Sequence, residues 1–97
     1  MKIFKVKDKS GRLIYLTDER WKHIKSEHPE VTNFLEEIKE TITQPTKVTA
    51  FYDNEKIKYY YKYFKKLKSP EKYFLVIVKY LNGNGFIITA YFVKSIR

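Results

Sequence analysis

Three groups of side chains in this 97-residue sequence are of types, and at spacings, that could do chemistry. The first is His28, in the run HPE at residues 28–30. It follows Trp21 and Ile24 at helical spacing, and Pro29 disfavours a helical backbone at the residue before it. The imidazole therefore ends an apolar face and points toward whatever that face covers. The ordinary alternative is a histidine hydrogen-bonding a helix end. His23 falls one position off the same stripe and is expected in solvent. The second group is Thr89 and Tyr91 in FIITAYFV, two apart on a strand and so on one face. A buried hydroxyl needs a partner, although both residues are also common strand formers.

The third group is KYYYKYFKK, residues 58–66. On a strand, Ile57, Tyr59, Tyr61 and Tyr63 share one face, and Lys58, Tyr60, Lys62 and Phe64 share the other. One face can enter the core, leaving the other to show alternating cation and ring to solvent. That arrangement suits phosphate contact plus base stacking, with Lys58, Tyr60, Tyr61, Lys65 and Lys66 as the candidate RNA-binding residues. The plainer alternative is an edge strand whose lysines deter strand-on-strand association. Other chemistries lack their parts: the sequence has no cysteine, no His-x-x-x-His pair, no Gly-rich phosphate loop and no Gly-x-Ser-x-Gly elbow. His28 with Glu30 is the only conceivable metal pair, and two ligands do not make a site. Any catalysis is expected to need neither metal nor cofactor.

The elements that must position these groups follow from periodicity. KIFKVK (2–7) and RLIYL (12–16) read as a hairpin around Asp8 to Gly11. Thr17 is an N-cap, Asp18 and Glu19 are favourable in a first helical turn, and a helix is expected from Asp18 to Glu27. Pro29 suits the first position of a second helix, with Val31, Phe34, Leu35, Ile38 and Ile42 on one stripe. The residues TQP at 43–45 end it. The period then changes to 2, and strands are expected at about 46–52, 56–65, 72–81 and 86–94. The turns between them are Asp53-Asn54-Glu55, Ser69-Pro70-Glu71 and the NGNG of 82–85. FLVIV (74–78) and FIITAYFV (86–93) are apolar at both parities, which predicts central strands covered on both faces. The expected fold class is α+β: an N-terminal hairpin and two helices packed on a four-stranded antiparallel sheet.

Length predicts one domain over residues 1–97, and 43% hydrophobic residues predict a folded chain. No run approaches the roughly 18 apolar residues of a membrane span, and MKIFKVKDKSGR has no signal-peptide core. A soluble, cytoplasmic protein is expected. The net charge of +9 is uneven. Residues 1–45 hold nine Lys/Arg against eight Asp/Glu, and residues 46–97 hold eleven against three. A basic half of this kind attracts polyanions and makes their binding salt-dependent. Lysine enrichment of the thermophile type normally brings glutamate with it, so the shortage of acids favours a polyanionic partner.

ERWKHIKSEHPEV, the long gap to YYYK, and FLVIVKYLNGNGFIITAYFV together resemble the BECR superfamily of nuclease domains, named for barnase, EndoU, colicin tRNase and RelE-type members. The resemblance is nearest to its phage-associated PBECR-type and stand-alone prokaryotic branch, and runs from about Leu16 to Ile96. It implies helices on an antiparallel sheet and metal-independent RNase activity. By position it places the catalytic groups at His28, at a residue among Tyr59 to Lys62, and at Thr89 with Tyr91. RNA can be cut without metal because its own 2′-OH attacks phosphorus, leaving a 2′,3′-cyclic phosphate. The protein need only move protons and neutralise charge. His28 would be general base or acid, Lys62 the electrostatic stabiliser, and Thr89 and Tyr91 donors to phosphate oxygens, with Tyr60 or Tyr61 stacking a base. Expected partners are tRNA or mRNA and, for a toxin or phage-derived effector, an acidic antitoxin or inhibitor protein. The alternatives are a noncatalytic RNA-binding module and a protein-interaction domain with a basic sheet face.

Overall fold

The computed structural model describes residues 2–68 and 70–97, without the side chain of Lys2. The chain runs β1 (Lys2–Lys7), β2 (Leu13–Thr17), α1 (Asp18–Glu27), a 3-10 turn (Pro29–Val31), α2 (Leu35–Thr43), β3 (Lys47–Phe51), β4 (Asn54–Tyr63), β5 (Tyr73–Leu81) and β6 (Asn84–Val93). The mixed α+β class is as expected, but the sheet has six strands where four were expected, in the order β1-β2-β6-β5-β4-β3. The difference lies in the hairpin. Instead of packing as a separate element, it joins the sheet through a short parallel seam in which Ile14 is opposite Gly85 and Tyr15 opposite Phe86. Hairpin chemistry specifies only the antiparallel β1–β2 pair, so nothing local in the sequence announces that seam. Gly85 makes it possible, because a Cβ there would lie 2.9 Å from both Ile14 Cγ1 and Val78 Cγ1.

The local signals hold well at α1. Thr17 Oγ1 accepts from the Arg20 amide at 3.2 Å, and the helix buries Trp21 and Ile24. It stops at His28, whose backbone is at φ −133°, ψ 73°, as the following proline requires. The expected continuous second helix is broken. After the 3-10 turn, Thr32 Oγ1 donates to the Pro29 carbonyl at 2.7 Å, a side-chain bond that competes with helix propagation. α2 therefore begins only after Phe34, and buries Ile38, Thr41 and Ile42. The β5–β6 hairpin turns on Asn82 (φ 52°) and Gly83 (φ 82°), the left-handed pair that an Asn-Gly turn supplies. Of the expected 69–71 loop, Ser69 lies outside the described residues.

β5 and β6 are central, and one parity of the sheet makes the core with the helices. Ile14, Leu16, Tyr60, Phe74, Val76, Val78, Ile87 and Ala90 are all buried there. The expectation that both faces of the central strands are covered does not hold. The other parity buries only Tyr61 and Leu75; Tyr59, Tyr63, Ile77, Lys79, Phe86 and Thr89 on it are not buried, and among the described residues no helix packs over them. Among the described residues no helix is long and apolar enough to cross a membrane.

At one end of the core a polar chain replaces apolar packing. Tyr60 and Tyr80 share a short hydroxyl contact, Tyr80 donates to Asp8 Oδ2 at 2.9 Å, and Arg12 lies 3.9 Å over the Tyr80 ring. Burial pushes the Asp8 carboxyl up. Hydrogen bonds from Ser10, Tyr80 and the Arg12 amide, with the Arg12 charge, outweigh it and hold the group below its ordinary 3.8.

Candidate active site

β2 pairs only with the start of β6, so the later part of β6 is left for α1 and the 3-10 turn to flank. The backbone break imposed by Pro29 then aims the His28 ring at Tyr91. The two rings stack with centroids 4.9 Å apart and 20° between planes. His28 remains partly open, with 30% of its side chain exposed, and Glu30 Oε2 stands 3.7 Å from its Nδ1.

Tyr91 faces the uncovered side of the sheet, opposite Leu75, and Thr89 shares that face opposite Ile77. A cleft of about 560 Å³ opens beside Tyr91, walled by Tyr59, Tyr61 and Leu75, by the acidic Glu71, and by Lys94, Ser95 and Arg97 beyond the end of β6. Burial raises the Tyr91 hydroxyl above the ordinary phenol value; Tyr59 and Tyr61 push it further up, and Arg97 pulls it partly back. At neutral pH Tyr91 is therefore a proton-bearing donor. Thr89 Oγ1 is buried and has no hydrogen-bond partner. His28 does not line this cleft and reaches it only through its stack on Tyr91; a cleft with a phenol donor, a guanidinium and an aromatic wall can take a phosphodiester with an adjoining base.

The sequence agrees with this chemistry over almost its whole length. The family model described as phage-Barnase-EndoU-ColicinE5/D-RelE like nuclease2 (PBECR2) matches residues 3–96. The chain belongs to the PBECR2 family. No curated protein and no solved structure matches it. As a PBECR2 member it is a nuclease-like domain, for which nucleic acid is the class of substrate. Among the described residues no three metal-ligating side chains gather.

The structure brings together His28 and Tyr91, with Thr89 one step along the same face. It does not bring Lys62 to them. Lys62 lies on the helix side of β4, donating to the Gln44 carbonyl at 2.7 Å with Glu40 at 3.6 Å. The two faces of β4 are also the reverse of the expectation that the lysine-bearing one meets solvent. Tyr60 is 4% exposed and hydrogen-bonded in the core, so it offers no ring to a base. Lys66 pairs with Glu37 of α2, Lys65 is exposed, and Lys58 lines a shallow hollow with Asp8 and Arg12, away from the cleft. Only Tyr61 of that group reaches the cleft, and it is 1% exposed. Alternation defined the two faces correctly but could not say which one the helices would cover. The sequence paired Glu30 with His28 only as a conceivable metal pair and gave Tyr59 only as one end of a range, and it assigned no role to Arg97. Arg97 sits in no periodic element, so no spacing signal could have found it.

Proposed function

We propose that this PBECR2 domain is a metal-independent endoribonuclease that uses the substrate's 2′-OH as nucleophile and leaves a 2′,3′-cyclic phosphate. The observation that carries this reading is the His28–Tyr91 stack, whose phenol lines a cleft in which Lys94 and Arg97 outnumber Glu71. His28 Nε2 takes the 2′ proton or returns one to the departing 5′ oxygen, with Glu30 beside its Nδ1. Tyr91, held protonated, donates to a nonbridging phosphate oxygen, and Arg97 neutralises the charge that builds on phosphorus. Thr89 lies on the same face, but its buried hydroxyl is shut off from a phosphate in the cleft. Tyr59 forms an aromatic wall for the adjoining base. DNA has no 2′-OH and is left intact. As a basic RNase, the protein suits a toxin or phage-derived effector, with an acidic inhibitor that would be drawn to the same cleft.

The test is end-labelled tRNA incubated with purified protein in EDTA. Cyclic phosphate ends are expected from the wild type, with a loss of roughly 10²–10⁴-fold in His28→Ala. RNA retained but uncut would make the domain a binding module, and cleavage undiminished in His28→Ala would remove the proposed acid–base group.

A further inference from the structure

The uncovered sheet face continues past the cleft. Along β5 it runs from Leu75, opposite Tyr91, to Lys79, opposite Phe86, a distance of about 13 Å at the strand rise. At that far end Tyr15 of β2 and Phe86 of β6 meet across the parallel seam, their rings stacked at 5.7 Å and 26°. Phe86 is 38% exposed and Leu81 beside it 42%, so an apolar surface faces water. Arg20 of α1 and Lys79 flank it, and no carboxylate lines the hollow they share. Neither cation forms an ion pair among the described residues.

We infer that the Phe86–Tyr15 ring pair, with Lys79 and Arg20, is a second nucleotide subsite that stacks a base of single-stranded RNA whose scissile phosphate lies in the His28–Tyr91 cleft. This rests on the ribonuclease reading and extends it from the reacting phosphate to the strand around it. Three features favour RNA over an acidic protein as occupant. The patch lies on the same sheet face as the cleft, so one strand can engage both. Its polar rim carries two cations and no acid. The bulge in β6 between its pairings with Ile77 and Val78 lies between the two sites, where extra twist re-aims side chains on that face. Base stacking on an aromatic ring is sequence-tolerant, so the subsite would lengthen the footprint without imposing a base preference.

Fluorescence anisotropy with 2′-O-methyl oligouridylates, which bind but cannot be cut, tests this on the full chain. The wild type is expected to hold a hexanucleotide more tightly than a dinucleotide. Phe86→Leu keeps apolar packing and removes the ring; it should weaken the hexanucleotide roughly 5- to 100-fold, the range for one stacked base. Lys79→Ala should flatten the salt dependence of hexanucleotide binding by about one charge. Both variants should shrink the length advantage, with unchanged thermal melts as the folding control. Hexanucleotide affinity equal to wild type in both variants overturns the second subsite while leaving the ribonuclease reading intact. Conversely, ring-dependent hexanucleotide binding by a protein that cuts no RNA sinks the ribonuclease reading and keeps the subsite.

Discussion

Tyr91 has two jobs that can be separated. Its ring braces His28, and its hydroxyl, kept protonated by burial among other tyrosines, is the donor in the proposed reaction. Tyr91→Phe retains the stack and removes the hydroxyl, so kcat should fall by about 10² with little change in melting temperature. Arg97 acts in the opposite direction on the same phenol. Its charge favours the tyrosinate, so Arg97→Ala should move the Tyr91 titration to higher pH, which absorbance of the phenolate can follow. At this scale the sequence was legible where a residue sat on a stripe or an alternation, as His28, Thr89 and Tyr91 do. Lys62 shows the limit. Its strand position was read correctly, but the side of the sheet it occupies depends on where α2 docks, which is a long-range matter.

Among the elements, the parallel β2–β6 seam is the one local patterning could not announce, and its tolerance is narrow. A methyl group at residue 85 would meet Ile14 and Val78 at 2.9 Å and Tyr80 at 3.0 Å, all from buried side chains. Gly85→Ala should therefore cost about 1–3 kcal/mol in urea unfolding. Gly83 differs. Its neighbourhood is open, and only its φ of 82° restricts it, so substitution there strains the turn without crowding the core. Most helix and strand positions were legible because caps, prolines and period changes are local. The broken second helix was not, because Thr32 competes for the backbone by a bond that a hydrophobic stripe cannot reveal.

For the molecule as a whole, two kinds of charge matter. The basic surface sets how nucleic acid is held, and the buried Asp8 chain sets how the protein meets acid. The folded Asp8 carboxyl ionises below its ordinary 3.8, so its stabilising contribution is complete above that pH and is lost as pH falls through the folded value. Denaturant unfolding should accordingly show an acid-side loss of stability below about pH 4 that is smaller in Asp8→Asn. Topology has a consequence for the cell that makes this protein. The seam and the His28–Tyr91 stack both join residues of the first third of the sequence to β6, so neither exists before β6 has been made. An emerging polypeptide carries its imidazole through the ribosome, beside abundant RNA, with no stacked phenol or guanidinium to work with. Such pairing of distant segments also forms slowly, so the imidazole and the phenol meet only late in folding.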